Sequence, residues 1–167
     1  LADNSQHPGN WNAIRICQEW VTKNVNNTYL ITQNRTGESK LIHPMRKKFV
    51  SKLLANAVLN TLYGFDLEYS GPVVDKYEKT DNGLKIYFSH ANNMYIDGEY
   101  LEDIVGYTDE WIPSSVNAKV NGNILEIEFL VKNFKAKVVT LGAMNTLSHN
   151  LYNEHGYLAA PIYIVLD

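Results

Sequence analysis

Two hydrophobic periods divide the chain. Trp11, Ile14, Cys17 and Val21 recur at three- and four-residue intervals, which gathers side chains on one helical face, so a short amphipathic helix is expected from about Trp11 to Val21. Tyr29, Leu30 and Ile31 read as a brief buried strand. A polar loop from Gln33 through Lys40 then leads to Leu41-Ile42-His43-Pro44. A second helix is expected next. Its apolar stripe is Phe49, Val50, Leu53, Leu54, Ala57, Val58 and Leu62, and its wet face is Lys48, Lys52, Asn56 and Asn60. Pro44 suits the first turn of that helix and Gly64 its end.

After Gly64 the period becomes two. Leu84, Ile86 and Phe88 alternate with Lys85, Tyr87 and Ser89, and Leu125, Ile127 and Phe129 alternate with Glu126 and Glu128. These are half-buried strands. Asp81-Asn82-Gly83 and Asn121-Gly122-Asn123 are expected to supply the positive-φ residues of two tight hairpins. Ala136 to Leu141 and Pro161 to Leu166 complete the strand set. The fold class expected is α+β. Residues 1–67 form a short α/β remnant of two helices and one strand, and residues 68–167 form an antiparallel β-sandwich domain.

Composition narrows the function classes. A chain of 167 residues that is 45% hydrophobic is long enough to bury a real core. Eighteen acidic residues against fifteen basic ones give a net charge of −3, and no basic cluster exceeds Arg46-Lys47-Lys48. Nucleic acid is therefore not expected as a partner. No apolar run approaches the ~20 residues of a membrane-spanning helix. Cys17 is the single cysteine, so no disulfide forms within the chain. Its place on the apolar helical stripe marks it as a small buried hydrophobe. Asn26-Asn27-Thr28 and Asn34-Arg35-Thr36 are glycosylation sequons. If they are used, Asn26 and Asn34 place the chain in the secretory pathway or outside the cell, with the lysosome as another destination.

Several short segments, in the right order, point to one family. Trp11 to Gln18 contains Ile14-Arg15-Ile16-Cys17-Gln18, similar to the Ile-Arg-x-x-Gln stretch of sialate O-acetylesterases, and Leu41-Ile42-His43-Pro44 resembles their Ile-His-Pro. Leu54 to Gly64 looks like the family helix that ends in Tyr-Gly, and Gly71-Pro72 like the opening of its β domain. Trp111 to Asn117 resembles the Trp-Leu-Pro-Ala-Ser segment of animal members. Asn150-Leu151-Tyr152-Asn153 and Ala159-Ala160-Pro161 resemble the closing Leu-Tyr-Asn and Pro-Ala-x-Pro elements. The likeness covers nearly the whole chain as the C-terminal part of such an enzyme.

The resemblance implies an SGNH-type serine esterase that removes O-acetyl groups from sialic acids. Serine attacks the acetyl carbonyl, an imidazole takes its proton and returns it to the leaving hydroxyl, and aligned donors hold the oxyanion. By this resemblance the imidazole is His43. The Gly-Asp-Ser segment and the oxyanion-hole blocks, which lie upstream in the family, have no counterpart here. Where these enzymes often place an aspartate three residues before the histidine, this chain has Lys40, with Glu38 the nearest acid. A lysine cannot accept the ring N–H.

Two functions fit. In the first, the chain is a catalytically incomplete, secreted derivative, a pseudoenzyme that binds a host or partner protein or a sialylated glycan. In the second, it is the C-terminal segment or subunit of an active esterase and supplies His43 to a serine on an N-terminal esterase chain. His149 and His155 bracket Asn153 and Glu154, but their separation in a loop is not a ligand spacing, so neither metal nor cofactor is expected. Trp111, Tyr95, Tyr100 and Tyr107 read as core and rim of the sandwich before they read as a sugar-stacking surface. Asp97-Gly98-Glu99 reads as a turn.

Overall fold

The structure is a computed structural model that describes residues 11–32, 45, 47–143 and 149–167. Within them the elements are α1 (Trp11–Asn24), α2 (Lys47–Tyr63), β1 (Val73–Thr80), β2 (Gly83–Ser89), β3 (Tyr95–Ile96), β4 (Ile104–Tyr107), β5 (Pro113–Ser114), β6 (Val116–Asn121), β7 (Ile124–Phe129), β8 (Val138–Leu141), β9 (Leu151–Tyr152) and β10 (Ile162–Val165). Two four-stranded antiparallel sheets, in the orders β1-β2-β7-β6 and β10-β8-β4-β5, are joined by a small β3-β9 ladder. The α+β class and the mostly β second part are as the two periods indicate.

The core lies between the two large sheets. Leu84, Ile86 and Phe88 of β2 and Leu125, Ile127 and Phe129 of β7 face Ile104, Val139, Leu141, Ile162 and Ile164 of the other sheet. Alternation puts Lys85, Glu126 and Tyr87 on the outer face, where Lys85 and Glu126 pair at 3.1 Å and occupy directly opposed positions of β2 and β7. Such cross-strand pairs add to the register that the apolar alternation already sets.

The two tight turns are built differently. Gly122 has φ of +61°, as a hairpin between Asn121 and Ile124 requires. The β1–β2 turn between Thr80 and Gly83 contains no positive-φ residue. Gly83 instead serves close approach, since a Cβ there would overlap the carbonyl oxygen of Ile127. Asn82 completes the corner: its side-chain Nδ2 donates to the Phe129 carbonyl at 2.8 Å, and its backbone carbonyl accepts from the Phe129 N–H at 2.9 Å.

The helices hold their periods, but each turns only part of its expected stripe inward. α1 buries Arg15 and half-buries Trp11, Ile16 and Glu19, while Ile14, Cys17 and Val21 point to solvent. Cys17 is thus exposed rather than buried. α2 buries Leu53 and Ala57 and exposes Leu54, Val58 and Leu62, the last at 73%. Asn56 and Asn60, expected on the wet face, are half-buried and donate to the carbonyls of Glu68 (2.8 Å) and Leu67 (3.1 Å). α2 therefore turns Asn56 and Asn60 to the segment that leads into the sandwich, and both helices leave a large part of their apolar stripes uncovered among the described residues. α2 ends at Gly64, whose φ of +74° and N–H bond to Asn60 at 3.1 Å form a left-handed cap. Tyr29, Leu30 and Ile31 form no ladder. The segment is held instead by side-chain contacts, with Tyr29 edge-on to Tyr69 at 6.4 Å.

Candidate functional site

His43, Lys40, Glu38 and Asn34 lie outside the described residues. Asn26 occupies the exposed turn that follows α1, next to Asn27 at φ +60°, and the Thr28 hydroxyl donates to the Val25 carbonyl at 2.7 Å. The chemistry-bearing groups that the described residues bring together form a different cluster, at the seam between the C-terminal end of α2 and the sandwich. Asp66, Glu68, Tyr69, His90, Asn92 and His155 line a polar pocket of about 320 Å³ there.

Glu68 is the centre of this cluster. Its Oε1 accepts from the N–H groups of Tyr69 and Ser70 at 2.8 and 2.9 Å and lies 2.8 Å from His90 Nδ1. Burial acts to raise its pKa, but the hydrogen bond and charge of His90 and the backbone donors outweigh it and hold the carboxyl below the ordinary value. An ionised carboxylate only accepts, so His90 Nδ1 carries the proton. His90 itself sits at φ +57°, with Tyr69 edge-on to its ring at 4.8 Å.

Asn153 clamps the same seam. Its Nδ2 donates to the carbonyls of Ser70 (3.0 Å) and His90 (2.8 Å), and its Oδ1 accepts from the N–H groups of His155 (3.2 Å) and Tyr157 (2.9 Å). All four bonding positions of the amide are filled. Asn150 does similar work for the loop after β3. It donates to the carbonyls of Asp97 and Tyr100 and accepts from the N–H of Glu102, each at 2.9 Å. Gly71 brings the chain into this seam, since a Cβ would overlap the Leu158 carbonyl oxygen and its N–H donates to Thr32 Oγ1 at 2.6 Å. The segments Asn150 to Asn153 and Gly71-Pro72, which carry part of the family resemblance, are thus structural clips.

An imidazole oriented by a carboxylate is half of a hydrolytic apparatus, and the other half is a hydroxyl within reach. Ser70, the serine nearest in sequence to Glu68, is completely buried. By itself this cluster positions backbone and does not supply a nucleophile. His149 is buried and His155 half-exposed at its ring. Among the described residues no group of three or more His, Cys, Asp and Glu stands close enough to hold a metal. Of the aromatic candidates, Tyr95 stacks on Tyr152 at 5.6 Å and Tyr107 lies 5.6 Å from Trp111. Tyr95, Tyr100 and Trp111 are exposed, so three of the four are rim rather than core.

With this architecture in view, the solved structures give a counterpart. The crystal structure of a carbohydrate acetylesterase from Xanthomonas citri matches 98% of this chain with a TM-score of 0.85 at 19% identity. The fold is esterase-like. The chain spans 39% of the length of that protein, and at such identity the likeness is one of fold alone. No family model matches the chain, and no curated protein matches it.

Sequence reasoning did not find the Glu68, His90 and Asn153 cluster. Its members are brought together by folding from distant stretches of the chain, and none sits in a local pattern that marks a site. Asn153 lies within the Leu-Tyr-Asn segment that carries part of the family resemblance, but nothing in that segment says what its amide holds.

Proposed function

We propose that this chain is the sandwich-bearing part of a carbohydrate O-acetylesterase, with O-acetylated sialic acids as substrates. It works only with an α/β layer, on the same polypeptide or another, seated on α1 and α2. The observation that carries this reading is the outward apolar face of both helices: Ile14 and Val21 on α1, and Leu54, Val58 and Leu62 on α2. Faces of this kind call for a covering layer. A self-contained binding protein would leave them wet. Lys40 in place of an orienting acid speaks for a non-enzymatic derivative, but it does not account for those faces.

In this reading the serine and the oxyanion donors belong to the α/β layer. His43 takes the serine proton as the hydroxyl attacks the acetyl carbonyl. It then returns that proton to the departing sugar oxygen, and the acyl-enzyme is hydrolysed by the same relay. Passage through the secretory pathway accompanies the reading, and the exposed turn at Asn26 supports it.

The test uses the chain alone and with an α/β segment that carries the Gly-Asp-Ser element of a sialate esterase. Alone, it releases acetate from aryl acetates and O-acetyl sialic acid at the buffer rate. With the segment, acetate release appears, and His43→Ala lowers it by roughly 10²–10⁴-fold without loss of the complex. Serine-inhibitor-sensitive turnover by the chain alone would overturn the proposal, as would a complex whose turnover ignores His43→Ala.

A further inference from the structure

A groove of about 440 Å³ runs where α1 lies across the open side of the sandwich, between the edge strands β1 and β10. Its floor is fixed. Tyr77 of β1 donates its hydroxyl to the Val165 carbonyl of β10 at 3.1 Å, tying the two sheets together beneath the groove. Its walls carry Trp20 of α1, 62% exposed, and Tyr163 of β10, 42% exposed. Two large rings beside one concavity are a costly surface to leave in water unless something covers them.

The polar groups of the groove are arranged to an unusual degree. β1 shifts register between Val74 and Lys76, so Asp75 is a bulged residue on an edge strand, and it lines the groove. Bulges re-aim side chains and cluster beside sites. The cations are already engaged: Lys23 pairs with Glu19 at 2.6 Å and Lys76 with Glu78 at 3.0 Å. Asp75 is a member of neither pair, although its charge also acts on Lys76. An anionic ligand would meet Asp75 with both ammonium groups spoken for, whereas an uncharged hydroxyl donates to a carboxylate at no such cost.

The groove also survives the docking discussed above. At about 100° per residue, Ile16, Glu19, Trp20 and Lys23 occupy one flank of α1, and Ile14, Cys17 and Val21 the other. A layer seated on the second flank leaves the first open.

We propose that this groove is a binding site for an uncharged carbohydrate, with Trp20 and Tyr163 against the faces of pyranose rings and Asp75 accepting a sugar hydroxyl. It is a site separate from the Glu68 cluster and from any acetyl-transfer chemistry of His43, and it stands whether or not the esterase reading holds. The volume is within the range of sites that hold a small ligand, and the half-open form suits a stretch of a longer glycan.

The experiment titrates the full chain, by calorimetry and tryptophan fluorescence, with lactose, xylotetraose, cellotetraose and the N-acetylglucosamine tetramer, and with 3′-sialyllactose as the charged counterpart of lactose. Saturable binding of at least one neutral sugar is expected, with Trp20→Ala weakening it by about tenfold. Trp20→Phe should retain most of it and Asp75→Asn weaken it severalfold. Sialyllactose should bind no better than lactose. Should Trp20→Ala fail to fold, Asp75→Asn, at an exposed edge, decides the matter. No saturable response to any sugar up to about 10 mM would overturn the proposal. So would binding indifferent to Trp20 and Asp75, or a preference for the sialylated ligand.

Discussion

Glu68 joins three donors on one carboxylate oxygen, the N–H groups of Tyr69 and Ser70 and the His90 ring, and this gives the chain a pH signature. Burial alone would raise its pKa, but these partners hold it below the ordinary 4.5. A carboxyl with a depressed folded-state value contributes stability that is complete above the unfolded value and lost as pH falls through the folded one. Wild type should therefore be more stable than Glu68→Gln at neutral pH, by roughly 1–3 kcal/mol. The gap should begin to close as pH drops below 4.5 and vanish once the folded carboxyl is protonated. Urea unfolding at stepped pH measures it, and a gap of constant size would refute the assignment. None of this was legible beforehand, because Glu68 sits in an ordinary polar stretch and its meaning comes from His90 across the seam. Asn56 and Asn60 show the same limit. A polar residue on an amphipathic helix reads as wet until the carbonyls that it satisfies are known.

Elements were more legible than residues, and the sheets more than the helices. Alternation places Leu84, Ile86, Leu125, Ile127 and Phe129 inward, and all five are core residues. Ile127 is 4% exposed and opposite Leu84 and Ala118 in the ladders. Ile127→Ala should then cost roughly 2–5 kcal/mol in chemical unfolding, and a loss below about 0.5 kcal/mol would mean a surface position. The helices were found by period, but period does not say which neighbour a face meets. The stripe through Trp11, Ile14, Cys17 and Val21 reads as inward, but of these four only Trp11 is half-buried, and the buried residue of α1 is Arg15. The β1–β2 turn was found for the wrong reason, since its glycine answers a steric approach to Ile127 and not a dihedral requirement.

At the scale of the molecule, the outward faces of α1 and α2 separate a chain that needs a cover from one that does not. Lysine at Leu54, Val58 and Leu62 together should leave the isolated chain folded, each change shifting its stability by no more than about 0.5 kcal/mol, while abolishing assembly with the α/β segment. Circular dichroism and size-exclusion chromatography report the two halves of that statement. Unfolding of the triple variant in isolation would show that those side chains pack within this chain. The junction between α2 and the sheets depends on how Asn153 and Gly71 hold the seam. A hinge needs a few residues free to change φ and ψ. Here Ser70 and His90 share one amide, and Gly71 is bonded to Thr32 and pressed against Leu158. The chain at Ser70-Gly71 is thus held from both sides, which leaves little freedom for a pivot at this point.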